Sequence, residues 1–369
     1  MALPRTVAEI PTPALLVDVP AMERNIRRMA QFFAERTCRL RPHFKAHKTP
    51  EIARRQLAAG SCVGLTCATV TEAEVGAILC DNILIANEVI GRDKCARVAA
   101  LARRIDVTIA VDSTSGLEQI GAAAREAITT IGVLIDVNVG MMRCGVAPGH
   151  DTVRLARRTA ETGGLTLRGL MGYEGHAVGI ADRAEREQRA RAAMDLLLST
   201  ASTLEHAGLG CEIVSAGGTG TYDISGSMAG ITEIQAGSYV LMDAAYAKLD
   251  IPFERALSLL GSVISRPGPE LCIADCGHKA CTQDHGNPEV KGIPGASVRV
   301  LNDEHAMIVL PPNATAEVGS RIQLWPSHID PTINLHDVLY ALDGDRVIDV
   351  WPITARGYAE QRQGAGGSR

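Results

Sequence analysis

Short apolar runs alternate with amphipathic helical segments along the first two thirds of the chain, and this alternation leaves few folds open. The runs are rich in Val, Ile and Leu, as in the strands of a parallel sheet that is covered on both faces. Eight successive strand–helix units over roughly 230 residues predict a TIM (β/α)8 barrel. An open dinucleotide-binding sheet would need an early G-x-G-x-x-G, which the sequence lacks. The predicted strands begin near Cys38, Cys62, Asn82, Asp106, Ile131, Leu167, Glu212 and Thr232, and the predicted helices cover 49–59, 71–79, 92–104, 115–127, 151–162 and 183–207.

The pattern changes near residue 253, after which short strand-like runs are joined by Pro- and Gly-rich segments without a long helix. This pattern is typical of an antiparallel β domain. The first apolar run, 12–18, has no place in an eight-stranded barrel, and we expect it to pair with that domain. The sequence therefore predicts an α/β protein with an N-terminal barrel at 20–252, a C-terminal antiparallel β domain at 253–360 and a disordered tail at 361–369.

Composition excludes several classes of partner. The 369 residues carry a net charge of -5, whereas proteins that bind nucleic acids or anionic membranes usually present a basic patch. No apolar run is long enough to span a bilayer, and no secretory signal pattern begins the sequence. The ten cysteines are scattered through apolar runs without a C-x-x-C pair. These observations indicate a reduced, cytoplasmic protein that acts on a small molecule.

Residues 41–48 (RPHFKAHK) contain a lysine with a histidine two positions to either side. In a continuing strand, His43, Lys45 and His47 would point to one face. Burial and nearby positive charge both disfavour a protonated amine, so Lys45 could be neutral near pH 7, as a Schiff-base nucleophile requires. The alternative is a solvated basic loop. The position of Lys45 at the end of the first barrel strand favours the nucleophile, because TIM-barrel active sites lie at that end.

Other predicted strand ends carry polar or glycine residues as well. Arg143 follows the fifth strand, the sixth ends in 172–176, and the seventh and eighth are followed by 215–221 and 235–239. Glycine-rich loops after the last two barrel strands commonly receive a phosphate through backbone N–H groups. A reactive lysine together with such loops suggests pyridoxal 5'-phosphate (PLP) as the cofactor.

Residues 41–48 also resemble the R-P-H-x-K-x-H-K signature of the D-threonine aldolase and D-serine dehydratase family, whose members are fold-type III PLP enzymes with the alanine racemase architecture. Further similarities follow at 11–18, 140–145, 215–220, 235–243, 302–305 and 326–337. The resemblance implies a homodimer in which Lys45 holds PLP as a Schiff base. It places Arg143 near the phenolic oxygen of PLP and Tyr173 near the PLP ring. The remaining cofactor-binding residues that it implies are His43, Gly218, Thr219, Gly237, Ser238 and Tyr239.

His328 and Asp330 form a second candidate site. On an extended segment, side chains at i and i+2 face the same side and can bind one divalent ion. The resembling family carries a metal at this position, with cysteine as the second ligand in dehydratases and in some hydroxyaspartate-cleaving members, and aspartate in D-threonine aldolases. A His/Asp pair suits Mn²⁺ best, with Mg²⁺, Co²⁺ or Zn²⁺ as alternatives. Cys281 and His278 are further candidate ligands.

The resemblance and Asp330 together predict metal-dependent retro-aldol cleavage of D-β-hydroxy-α-amino acids, such as D-threonine and D-allo-threonine, to glycine and an aldehyde. His176 is the candidate base, with water activated by the metal as its competitor. Residues 173–176 and 67–69 depart from the aldolase pattern, which leaves the substrate open. The alternatives are a dehydratase of D-serine or 3-hydroxyaspartate, a 3-hydroxy-D-aspartate aldolase and a non-catalytic PLP-binding protein.

Overall fold

The computed structural model describes residues 4–357, so the tail predicted at 361–369 lies outside the described residues. The described residues form two compact units. One comprises 29–45 and 53–237, and the other comprises 4–28, 46–52 and 238–357. The domain limits predicted from the sequence stay predictions, since a compact unit is defined by contacts whereas a domain is defined by independent folding.

The helices begin and end close to the residues that the sequence predicted, with ends displaced by at most three residues. Side-chain caps explain several of the starts: Thr69, Ser113 and Asp182 each accept a hydrogen bond from the backbone N–H three residues later. Within residues 4–357, none of the helices combines the length and hydrophobicity that a transmembrane span requires. The helices are α1 (Val19–Ala34), α2 (Pro50–Ala58), α3 (Val70–Gly76), α4 (Arg92–Ala102), α5 (Thr114–Glu126), α6 (His150–Glu161), α7 (Arg183–His206), α8 (Tyr222–Ser225) and α9 (Ile329–Ile333).

Eight parallel strands form the barrel, as predicted. Their order in the sheet is β2-β9-β8-β7-β6-β5-β4-β3, and parallel bridges from Leu40 to Cys62 and from His43 to Thr66 join the two ends. The interior is apolar, because each of the five neighbouring strands β4 to β8 contributes one side chain to a common cluster (Leu84, Ala110, Leu134, Met171 and Ile213). The strands are β2 (Arg39–Leu40), β3 (Leu65–Cys67), β4 (Asn82–Glu88), β5 (Asp106–Val111), β6 (Ile131–Asp136), β7 (Leu165–Gly172), β8 (Ile213–Ala216) and β9 (Glu233–Ile234).

The other unit contains a nine-stranded sheet around the first strand of the chain. This strand, β1 (Ala14–Asp18), pairs with the sheet as the sequence predicted, because its two edges bind strands from the C-terminal part. Its pairing with β10 is antiparallel and its pairing with β16 is parallel, while the other pairs of the sheet are antiparallel, so the sheet is mostly antiparallel as predicted. The remaining strands are β10 (Leu257–Gly268), β11 (Leu271–Ala274), β12 (Glu289–Lys291), β13 (Ser297–Leu301), β14 (Ala306–Val309), β15 (Arg321–Trp325), β16 (Val338–Asp343) and β17 (Arg346–Pro352).

Candidate active site

Lys45 lies in a tight turn at the end of the first barrel strand. The N–H of His43 donates to the carbonyl of Ala236 (3.0 Å), so the parallel pairing with the β9 chain continues as far as His43. Residues Phe44–Ala46 then form a 3₁₀ turn, in which Lys45 is half-buried. The predicted alternation that placed His43, Lys45 and His47 on one face is therefore wrong, because period-two alternation ends where the strand ends. Lys45 nevertheless lies at the barrel end where catalytic groups are expected.

The arginine that opens residues 41–48 has a structural role. Arg41 forms a buried ion pair with Glu233 of β9, with 2.8 Å between Nη2 and Oε2 and only 5% of each side chain exposed. Its Nη1 also donates to Oδ1 of Asn82 (2.6 Å). A Cβ added to Gly64 would lie 2.7 Å from Nη1, so the guanidinium is tightly enclosed. Arg41 therefore links β9 and β4 to the chain that leads to Lys45.

Three of the predicted cofactor-binding residues lie together at the ends of β6, β7 and β8. The guanidinium of Arg143 lies 5.6 Å from the centre of the Tyr173 ring, within the range of a cation–π contact. A Cβ added to Gly218 would lie 3.3 Å from Cε2 of Tyr173, so the ring and the glycine backbone are close. Arg143, Tyr173 and Gly218 are thus brought together as a cofactor site requires.

His176, the candidate base, is exposed and lies over the loop that follows β6. A Cβ added to Gly140 would lie 3.0 Å from Cε1 of His176, and Gly140 has φ +122°. A larger residue at position 140 would therefore meet the imidazole and adopt a strained backbone. Arg143 lies three residues after Gly140 in the same loop, so the imidazole of His176 lies against the loop that carries Arg143.

The predicted phosphate-binding residues fall into two segments. The first is the glycine loop, defined here as residues 217–221, in which Thr219 is 2% exposed. In the second, Gly237 directly follows the residue that accepts the N–H of His43. Ser238 begins the 3₁₀ turn Ser238–Val240. Tyr239 is fully buried, and its ring packs against Phe253 with 5.6 Å between the centroids.

Sequence reasoning missed an acidic cluster at the ends of three neighbouring barrel strands. Glu88 ends β4, Asp112 follows β5 and Asp136 ends β6. The pKa of Asp136 is raised to about 8, chiefly by burial and then by the charge and hydrogen bond of Glu88, while the charge of Arg143 opposes the rise. Asp112 accepts the N–H of Gly145 (3.2 Å), so the cluster also holds the loop that carries Arg143. The same strand-end rule that selected Lys45 and Arg143 would have found these carboxylates.

His328 and Asp330 lie in the other unit, and their side chains approach each other as predicted. Nε2 of His328 is 4.0 Å from Oδ1 of Asp330. The segment is extended only as far as His328, because α9 begins at Ile329 and Asp330 occupies its first turn. The predicted extended segment is thus wrong in its backbone, but a helix start after an extended residue still brings positions i and i+2 together.

Two further residues complete this candidate metal centre. Nδ1 of His328 lies 2.5 Å from Oδ2 of Asp284, and the ring of His285 stacks on that of His328 with 4.0 Å between the centroids. Burial pushes the pKa of Asp284 upward, but the hydrogen bonds from His328 and Thr282 outweigh it and leave the pKa below its ordinary value. Burial and then the charge of His328 lower the pKa of His285.

The two extra ligands considered from the sequence do not join this group. Among the described residues, the cluster of possible ligand atoms around His328 contains Asp284 and His285 but neither Cys281 nor His278. Asp330 lies outside this cluster as well and is related to it by the 4.0 Å between its Oδ1 and Nε2 of His328. The sequence offered no spacing that linked Asp284 to His328, because 44 positions separate them.

Comparison with known proteins identifies the family to which the chain belongs. Residues 17–245 match the family described as the alanine racemase N-terminal domain, and residues 256–342 match the putative serine dehydratase domain. The chain is 38% identical to D-threonine aldolase of an Arthrobacter species over 359 residues, which cover 96% of this chain and 94% of that protein. The chain belongs to the D-threonine aldolase and D-serine dehydratase family.

Solved structures of this family have the same fold. The crystal structure of D-threonine aldolase from Filomicrobium marinum superposes with a TM-score of 0.92 at 39% identity, covering 96% of this chain and 98% of that one. D-threo-3-hydroxyaspartate dehydratase from Delftia sp. HT23 gives a TM-score of 0.86 at 29% identity, covering 96% of this chain and 100% of that one. The predicted architecture and the predicted membership of a PLP-dependent enzyme family of fold-type III are therefore confirmed.

Proposed function

We propose that this enzyme cleaves D-β-hydroxy-α-amino acids, of the D-threonine and D-allo-threonine type, to glycine and an aldehyde. The observation that carries the proposal is Asp330 beside His328, since aspartate at this position distinguishes aldolases from dehydratases in the resemblance described above. The relative and the solved structure named D-threonine aldolase support the same reaction. In this reaction the Cα–Cβ bond breaks as the β-hydroxyl loses its proton, and the carbon that becomes Cα of glycine then gains one.

The barrel end fits PLP by its geometry. Lys45 would hold the cofactor through Nζ, Arg143 and Tyr173 would face its ring, and the glycine loop would receive its phosphate. The close approach of Gly218 to Tyr173 supports this assignment, because it leaves no room for a side chain between the tyrosine ring and the glycine loop. Residues His43, Thr219, Gly237, Ser238 and Tyr239 complete the proposed set. When bound, PLP accepts the electron pair that the broken Cα–Cβ bond leaves behind.

The His328 group fits a divalent cation by its donor chemistry. A neutral imidazole and a carboxylate are suitable ligands for Mn²⁺, which we propose as the native metal, and also for Mg²⁺, Co²⁺ and Zn²⁺. The Nδ1 of His328 is hydrogen-bonded to Asp284, so Nε2 is the nitrogen left to face a metal together with Asp330. When bound, the cation lowers the pKa of a substrate hydroxyl that it contacts.

His176 is the residue proposed to take the hydroxyl proton on an imidazole nitrogen. Its exposure supports this role, because a general base must reach the substrate directly or through one water molecule. Lys45 is proposed to release glycine, because its amine would take the place of the product's amine on the cofactor.

A substrate with a β-carboxylate is the second candidate. The chain is 34% identical to 3-hydroxy-D-aspartate aldolase of Paracoccus denitrificans (strain Pd 1222), a match that covers 95% of this chain and 93% of that one. The Cα–Cβ bond is cleaved in both reactions, so the two candidate substrates differ only in the group attached to Cβ. Activity on 3-hydroxy-D-aspartate is therefore tested alongside D-threonine.

The test is a substrate panel with purified enzyme, before and after metal removal by EDTA and with Mn²⁺ restored. We expect glycine and acetaldehyde from D-threonine, loss of turnover with EDTA and recovery with Mn²⁺. L-threonine serves as the stereochemical control. Lys45→Ala should abolish both turnover and the visible absorbance of bound PLP. Pyruvate from D-serine as the main product would replace the aldolase with a dehydratase, and turnover that EDTA leaves intact would remove the metal from the proposal.

We also propose a cytoplasmic homodimer. None of the ten cysteines, all of which lie within residues 4–357, forms a disulfide, in agreement with a reducing compartment. Light scattering coupled to gel filtration checks the dimer, and a monomer with full activity would contradict it.

A further inference from the structure

Glu174 is a buried carboxylate that the proposed mechanism does not use. It follows Tyr173 after β7, and none of its surface is exposed. Its Oε1 accepts hydrogen bonds from the hydroxyls of Thr221 (2.7 Å) and Ser225 (2.6 Å), and its Oε2 accepts the N–H of Gly217 (3.1 Å). Burying a carboxylate is costly unless several donors satisfy it, so a position that retains one requires a specific explanation.

The hydrogen bonds run in a fixed direction from the glycine loop to Glu174. The Thr221 hydroxyl uses its single proton to donate to Oε1 of Glu174. The lone pairs of the same hydroxyl then face the N–H of Gly218, which lies 3.3 Å from Oγ1. The N–H group of Gly217 therefore points directly at Glu174. The N–H group of Gly218 points at the Thr221 hydroxyl, which is itself bonded to Glu174.

These bonds determine which part of the loop can face a ligand. The remaining turn of the glycine loop, at Thr219 and Gly220, is also buried, and it is called the outer part of the loop here because it lies beyond the two amides that point toward Glu174. Gly217 has φ +78°, and a Cβ added there would lie 2.6 Å from Cδ1 of Ile234, so the loop backbone lies close to β9 at this position. The loop is therefore bonded to the carboxylate of Glu174 and lies against the side chain of Ile234.

Glu174 also holds the turn that carries the candidate base. Its backbone carbonyl accepts the N–H of Ala177 (2.8 Å), which closes a turn around Gly175 and His176. One residue thus joins the glycine loop after β8 to the turn after β7. Its side chain positions one of them and its backbone positions the other.

We propose that Glu174 is a positioning residue that shapes the glycine loop for the cofactor phosphate, an inference that rests on the proposed PLP site. The carboxylate does not attract the phosphate, because the two groups have the same charge. It acts by holding Gly217, Gly218 and Thr221 in the conformation that presents the outer part of the loop. Glutamine cannot replace it, because a side-chain amide has one acceptor oxygen and its NH₂ group would face a donor.

The test compares the binding of PLP with that of pyridoxal, which lacks the phosphate. Thr221→Val removes the hydroxyl that links Gly218 to Glu174, whereas Thr221→Ser keeps it. Each ligand is titrated into the cofactor-free protein, and visible absorbance reports the dissociation constant. We expect Thr221→Val to weaken PLP binding at least tenfold and to change pyridoxal binding less than twofold. Thr221→Ser should bind both ligands nearly as the wild type does, and Glu174→Gln should lose PLP selectively.

A matched control is Thr159→Val in α6. Thr159 is as fully buried as Thr221, and its hydroxyl donates to the carbonyl of Leu155 (2.9 Å). The control should leave the ratio of the two dissociation constants unchanged. Equal losses for PLP and pyridoxal in Thr221→Val, or no loss for either, would overturn the role of Glu174. The proposed PLP site itself is wrong if the wild type binds neither ligand. It is also wrong if the Lys45→Ala variant binds both ligands as well as the wild type does.

Discussion

Replacing Glu233 with glutamine should destabilise the barrel strongly, although the two side chains have almost the same shape. The substitution removes the charge that compensates the buried guanidinium of Arg41, of which only 5% is exposed. Breaking a buried ion pair by removing one partner typically costs about 3–5 kcal/mol. Glutamine retains one acceptor for Nε, which lies 2.9 Å from Oε2 in the wild type, and a hydrogen bond to a charged group offsets about 1.5 kcal/mol. We therefore expect a loss of about 2–3 kcal/mol in the free energy of unfolding.

The assay is urea unfolding followed by far-UV circular dichroism. Tryptophan fluorescence would miss the effect, because the only two tryptophans, Trp325 and Trp351, lie in the other unit. The control is the double variant Arg41→Met/Glu233→Leu, which removes both charges and should be more stable than Glu233→Gln, since apolar replacement of a buried pair is often neutral. A Glu233→Gln protein within about 1 kcal/mol of the wild type would refute the reasoning, as would a double variant that is less stable than the single one.

Two further predictions concern the acidic cluster and the metal centre. The pKa of Asp136 is raised to about 8, so the folded state keeps a proton that the unfolded state has lost, and the stabilisation from this group is lost as pH rises from about 4 to about 8. Asp136→Asn, which cannot titrate, should flatten the decline of stability over this range, and parallel urea-unfolding profiles for both proteins would contradict the assignment. Asp284→Asn should weaken Mn²⁺ binding by about 10–100-fold in calorimetric titration, because the orienting carboxylate of His328 is lost. An unchanged affinity would mean that Asp284 does not orient the imidazole.

The barrel could be predicted closely because its strands are buried on both faces. Runs such as Ile131–Asp136, in which every residue is buried, read as strands without ambiguity. The strands of the other unit were harder to recognise. In β10 the first five residues are buried and most of the later ones are partly exposed, so neither a continuous nor an alternating pattern persists. Its length of 12 residues was not foreseen for the same reason.

The candidate site could be predicted only where chemistry and chain position coincide. Lys45 and Arg143 lie in the segments that follow two barrel strands, β2 and β6, and carry conspicuous functional groups, so the strand-end rule selects them. Glu174 was inside a segment already singled out, but its partners Gly217 and Thr221 lie over 40 positions away, and hydrogen bonds at that separation leave no periodic signal. The position of Lys45 within a 3₁₀ turn was missed because residues 43–47 contain neither glycine nor proline.

The pairing of β1 has a consequence for how the protein is made. Leu15 pairs with Leu259 on one edge of β1 and with Leu339 on the other, so both partners emerge from the ribosome long after β1 itself. At typical synthesis rates of 5–20 residues per second, the second edge stays open for roughly 15–60 seconds while the barrel is completed. During that time at least one edge of this apolar strand is unsatisfied, and a strand with an open edge is the kind of segment that chaperones bind and that drives aggregation. Expression yield should therefore respond to chaperone supply and to charged residues placed ahead of Ala14.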